Sequence, residues 1–89
     1  MPATLSDSVW RAIKLGSRAT LRRAPDGVVL RRAGTDATVV AKKGELTVTV
    51  VGDPVELALF TSGRQRAARV DLSGDDAAVS RLLATPLGF

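Results

Sequence analysis

Between Leu46 and Leu72 the chain changes its hydrophobic period twice. Leu46, Val48 and Val50 alternate with Thr47 and Thr49, the period-two pattern of a strand with one buried face. At Gly52-Asp53-Pro54 the pattern shifts to a helical one. Pro54 suits a first helical position, where its missing N–H would be unpaired anyway, and Asp53 can accept from a free amide of the first turn. Glu56 falls at the third helical position, where its charge favours the positive helix end. Val55, Leu57, Leu59 and Phe60 supply the apolar surface, and Gly63 offers the left-handed residue that ends the helix. Ala68, Val70 and Leu72 then alternate with Arg69 and Asp71 as a further strand over 67–72. Strand, helix, strand: the rest of the chain is read around this stretch.

Upstream, Ser6 or Asp7 caps a helix over 6–15 carrying Val9, Trp10, Ile13 and Leu15, with Gly16 as its stop. Trp10 reads as the anchor that packs this helix on the sheet. Residues 19–24 and 28–33 read as strands around Pro25-Asp26-Gly27, a strong turn signal. The implied hairpin pairs Arg23 with Val29 and Arg22 with Leu30, so neither face is cleanly apolar. A bulge, or arginine stems lying along the sheet, would resolve this. Gly34-Thr35-Asp36 leads into a strand over 37–42, and Lys43-Gly44 into one over 46–51. Downstream, Ser73-Gly74-Asp75-Asp76 opens a helix over 75–84 that Pro86 ends, and Leu87-Gly88-Phe89 is an apolar tail expected to pack back. Residues 1–89 thus read as one α+β domain of order α-β-β-β-β-α-β-α, a five-stranded, antiparallel-rich sheet with helices packed on it. The expected core is Trp10, Ile13, Val39, Val48, Val50, Leu57, Phe60, Val70, Val79 and Leu82.

Composition narrows the chemistry. With 89 residues there is room for one core, and 45% hydrophobic with 25% charged residues is ordinary for a globular domain. The sequence has no cysteine and no histidine. That removes disulfides, thiolate chemistry, the commonest metal ligand and the commonest general base near neutral pH. Ser62, Thr61 and Ser80 have no base beside them in the sequence pattern to activate a hydroxyl. No catalytic, cofactor-binding or metal-binding residue is expected. No apolar run is long enough to span a bilayer and no signal-peptide layout opens the chain, so a cytoplasmic domain is expected.

Charge is unevenly divided. Residues 1–43 hold nine basic and three acidic side chains, residues 44–89 four basic and six acidic, which gives +6 and −2 for a net +4. Arg22, Arg23, Arg31 and Arg32 would share the hairpin, with Lys42 and Lys43 at a neighbouring strand end, making a candidate interaction face. Such a face could neutralise phosphates. With three aromatics, none among the arginines, the stacking platform of single-strand binders is missing, and no basic helix is visible. A solvated face or a dock for an acidic partner is the better reading. Asp75 and Asp76 read as favouring the helix dipole rather than holding a metal. Arg64-Gln65-Arg66 reads as basic charge near a helix C-terminus rather than an anion site.

The run VTVVGDPVELALFTSGRQRAARVDLSGDDAAVSRLL, Val48 to Leu83, resembles the C-terminal domain of the mycothiol-dependent maleylpyruvate isomerase-like family. The likeness lies in the strand into Gly52-Asp53-Pro54, the apolar helix with Glu56 and Leu57, the Gly63-Arg64 stop and the last strand into Gly74-Asp75. It implies a sterol-carrier-protein-like fold and a place beside a DinB-like four-helix domain, which in that family carries the metal-binding histidines. The activity does not come with the likeness, because this chain has no histidine. The expected function is therefore a non-catalytic accessory or interaction domain, partnered by such a four-helix domain or by itself. The resemblance also implies an alternative, a small hydrophobic-ligand or lipid binder, although short side chains leave little room for a cavity. A further alternative is nucleic-acid binding through the arginine-rich hairpin.

Overall fold

The structure is a computed structural model that describes residues 3–65, 67–85 and 87. It is an α+β fold of three helices and a four-stranded mixed sheet. The order is α1 (Ala3–Thr20), β1 (Gly27–Arg32), β2 (Thr38–Lys42), β3 (Thr47–Gly52), α2 (Pro54–Thr61), β4 (Asp71–Ser73) and α3 (Asp76–Ala84). The expected fifth strand, over 19–24, does not form.

Its residues are instead the end of α1 and the turn behind it. The helix does not stop at Gly16, and no cap at Ser6 or Asp7 begins it. Trp10, Ile13 and Ser17 are buried at helical spacing, and Leu21 continues their line into the core. Burying that stripe outweighs the roughly 1 kcal/mol that a mid-helix glycine costs. Beyond Thr20, Leu21 and Ala24 point inward while Arg22 and Arg23 are exposed. Lys42, at the end of β2, donates its ammonium to the carbonyls of Arg22, at 2.9 Å, and of Ala24. That side chain is thereby taken out of the expected basic patch.

The sheet is mixed, and its strands do not lie in chain order. Its strand order is β2-β1-β3-β4, with β1 antiparallel to β2 but parallel to β3, and β3 antiparallel to β4. Val28 and Leu30, nearly water-free, put β1 inside the sheet, whereas β2 with exposed Thr38 and Val40 lies at its edge. Residues 43–46 must then cross the start of β1, bridging about 9.5 Å between its two neighbours. Gly27 and Gly44 make this crossing. A Cβ on Gly27 would lie 2.8 Å from the Gly44 nitrogen, and one on Gly44 would lie 2.6 Å from the Gly27 nitrogen. The Gly27 N–H donates to the Leu46 carbonyl at 2.8 Å, which locks the crossing. An irregularity in the β1–β2 register falls between Val28 and Val29, in a different hairpin from the one for which a bulge was expected.

The central stretch follows its pattern more closely. Pro54 starts α2, although Asp53 makes no side-chain cap bond there. Gly63, at φ +100°, ends it: the Gly63 N–H donates to the Phe60 carbonyl at 3.3 Å and the Arg64 N–H to that of Leu59 at 3.1 Å. These are the paired bonds of a Schellman ending. Strand β4 is shorter than expected because residues 67–70 form a loop. Glu56 accepts from the Arg69 N–H at 2.7 Å, and Val70 packs over Gly52. Asp75 caps α3 by accepting from the Ala78 N–H at 3.0 Å. Arg81 of α3 donates to both carboxylate oxygens of Asp26, at 2.9 and 3.3 Å, and these hydrogen bonds raise the guanidinium pKa.

All three helices contribute to one hydrophobic cluster with the inward residues of the strands. Trp10, Ile13, Val48, Val50, Leu57, Phe60 and Leu82 are buried as expected, while Val39, Val70 and Val79 are half-buried against the cluster. Leu21, Ala24, Val28, Leu30, Ala41, Ala78 and Leu87 are its other buried members. Leu87 does pack back; Gly88 and Phe89, and the Pro86 stop, lie outside the described residues.

Candidate functional site

Strand side chains alternate between faces. Val28, Leu30, Val48 and Val50 face the cluster, so their neighbours face the other way. Cross-strand register arranges those neighbours in rows. One row runs Thr38, Arg31, Val51, Asp71 across β2, β1, β3 and β4; the next runs Val40, Val29, Thr49, Ser73. None of the three valines belongs to the hydrophobic cluster, and Val40 is 44% exposed. The outer face therefore presents mainly β-branched side chains, with Arg31 on the interior strand β1 and Asp71 on the edge strand β4. Sequence reasoning missed it because the expected hairpin over 19–33 put Arg23 beside Val29 and Arg22 beside Leu30. Its local signal was present in Thr47, Thr49 and Val51, the outward set of β3, which forms where its alternation puts it, as β1 and β2 also do.

The four arginines of the expected face are divided. Arg22 and Arg23 sit in the turn after α1, whereas Arg31 and Arg32 end β1. Successive residues of a strand point to opposite faces, and these two do. Arg31 lies on the outer face, bonded to the Thr35 carbonyl at 3.0 Å and to Asp36 at 3.4 Å. Arg32 lies on the helix side, where its guanidinium meets Asp7 of α1 at 2.7 Å. With no hairpin over 19–33, the structure does not gather the four into one patch.

Hydroxyls near α2 are engaged with backbone. Thr61 donates to the Ala58 carbonyl and Ser62 to that of Leu59. The Gln65 amide donates to the Thr85 carbonyl at 2.6 Å, tying the loop to α3 instead of offering an anion site; Arg66 lies outside the described residues. Among the described residues no group of three or more carboxylates could hold a metal, and no helix is long and apolar enough to cross a membrane.

A second surface feature lies between α1 and α2. It is a groove of about 320 Å³ walled by Val9, Ala12, Ile13 and Gly16 on one side and Ala58 and Thr61 on the other. The groove is open, whereas small-molecule sites enclose most of their ligand. Ser17 also borders it, with its Oγ buried and without a hydrogen-bond partner among the described residues.

Comparison with family models, curated proteins and solved structures finds no match for the chain.

Proposed function

We propose that this chain is a non-catalytic interaction domain that docks a partner on the outer face of its sheet. The observation that carries the reading is the outer sheet face, where exposed Val40 and half-buried Val29 and Val51 all stand outside the hydrophobic cluster of the described residues. Two-layer domains bury one sheet face, and an exposed apolar face on the other side marks a docking surface. The resemblance of Val48 to Leu83 to the C-terminal domain of mycothiol-dependent maleylpyruvate isomerase-like proteins supports the same role. It adds a sterol-carrier-like relationship and a DinB-like four-helix domain, or a second copy, as the partner.

The test is amide chemical-shift mapping of the chain at rising concentration, and then with a purified DinB-like four-helix domain. Shifts at Val29, Thr49 and Val51, abolished by Val51→Lys, are the expected result. Binding that leaves those amides unmoved, or that survives Val51→Lys, would place the dock elsewhere. Turnover of a thiol-dependent isomerisation by the chain alone would end the accessory reading.

A further inference from the structure

A helix advances about 100° per residue, so the exposed half of α1 can be followed strip by strip. Arg11, Lys14 and Arg18 run along one line; all are exposed, and none forms an ion pair with a described residue. Beside that line stands Leu15, which is 83% exposed. Next come Ala12 and Ala19, both exposed, and then Gly16 at the lip of the groove toward Ala58 and Thr61. Around the helix the order is cations, an apolar ridge, small residues and an apolar groove.

Nothing within the fold accounts for this arrangement. Leu15 leaves most of its side chain in water. Gly16 weakens the helix relative to alanine, yet no atom of a described residue outside the helix backbone lies within 4 Å of where its Cβ would be. Glycine at such a position permits close approach of another backbone. The three cations repel one another along about 10 Å of helix axis.

We propose that α1 and the α1–α2 groove dock an acidic amphipathic helix of a partner protein. Its apolar side chains would lie against Leu15 and over Gly16, and its carboxylates over Arg11, Lys14 and Arg18. This is helix-in-groove recognition, in which anchors at helical spacing enter a groove and complementary charge sets orientation. The groove is walled by two helices rather than by a sheet edge, which suits a helix over a strand. A phosphate backbone would use the cations but has no use for the ridge and groove beside them. The site is separate from the outer sheet face and stands whether or not that face docks a partner.

The probe is a helical peptide of about eighteen residues with leucine at i, i+3, i+4 and i+7 spacing and glutamate elsewhere. Its counterpart carries lysine in place of glutamate. The acidic peptide should shift the amides of Ala12, Leu15, Gly16 and Ala58, and bind at least ~10-fold more tightly than the lysine peptide. Gly16→Leu should weaken binding ~10-fold or more while the domain stays folded, and Val51→Lys should leave it unchanged. Arg11→Ala with Lys14→Ala and Arg18→Ala should reduce affinity and flatten its salt dependence. Equal binding of both peptides, or shifts confined to the outer sheet face, would overturn the proposal. So would tight binding of a random-sequence DNA duplex that Gly16→Leu leaves intact, which would assign the stripe to phosphates.

Discussion

At Gly27 and Gly44 a single added methyl would collide with backbone, and backbone at a strand crossing has little freedom to withdraw. Gly27→Ala and Gly44→Ala should each lower the unfolding free energy by about 1–3 kcal/mol. Gly16→Ala should do the opposite, because its methyl meets open space in a helix interior; a gain of about 0.5–1 kcal/mol is expected. Urea titrations of the three variants test the contrast, and losses at all three would refute the account of Gly16. Phe60, fully buried, should cost about 3–5 kcal/mol on replacement by alanine. Asp75→Ala should cost about 1 kcal/mol through loss of its cap, and Asp53→Ala less, since its side chain makes no such bond. At this scale the sequence is candid about residue types and silent about their reasons. Pro25-Asp26-Gly27 and Lys43-Gly44 read as turns; Pro25, Asp26, Lys43 and Gly44 do lie in connections, while Gly27 opens β1. Their glycines are required by each other, fifteen to twenty residues apart in the chain, and no local pattern carries that.

Elements were legible where their signals are local. The period change at Gly52, Pro54 at a helix start and Gly63 at its end lie within a dozen residues, and α2 stands where they put it. The same holds for α3 behind Asp75. Helix α1 runs past the expected stop, because Gly16 ends a helix only when nothing beyond it needs burial, and Ser17 and Leu21 do. Arg22 and Arg23, expected on a strand, follow the C-terminus of α1, where positive charge favours the helix dipole. Between α3 and the entry to β1, Arg81 and Asp26 form a bridge that couples segments distant in sequence. Its hydrogen bonds raise the Arg81 pKa in the folded chain. A group raised on folding stabilises at every pH below its unfolded value, and that contribution falls only as pH climbs through the folded one. Arg81→Met should therefore lower the urea midpoint by the same amount at about pH 7 and about pH 10. A difference that shrinks over that interval would assign the effect to another group.

For the whole molecule, strand order decided what could not be read from the sequence. Any order that buries Val28, Leu30, Val48 and Val50 satisfies the alternating pattern, and the outer face follows only once β1 is flanked by β2 and β3. Because that face supports no core, Val51→Thr should change stability by no more than about 0.5 kcal/mol, measurable by denaturant titration. The crossing of residues 43–46 over the start of β1 bears on the path by which the chain folds. Joining β1 to β2 closes a loop of five residues, 33–37, whereas joining β1 to β3 encloses fourteen, 33–46. Shorter closure forfeits less chain entropy, so the hairpin should form first and β3 should be laid down afterwards on the edge of β1 that the hairpin leaves bare. The rate-limiting barrier should then fall where Gly44 passes Gly27. Gly44→Ala should act chiefly on the refolding limb of a chevron plot, while Asp75→Ala, away from this crossing, should act chiefly on the unfolding limb.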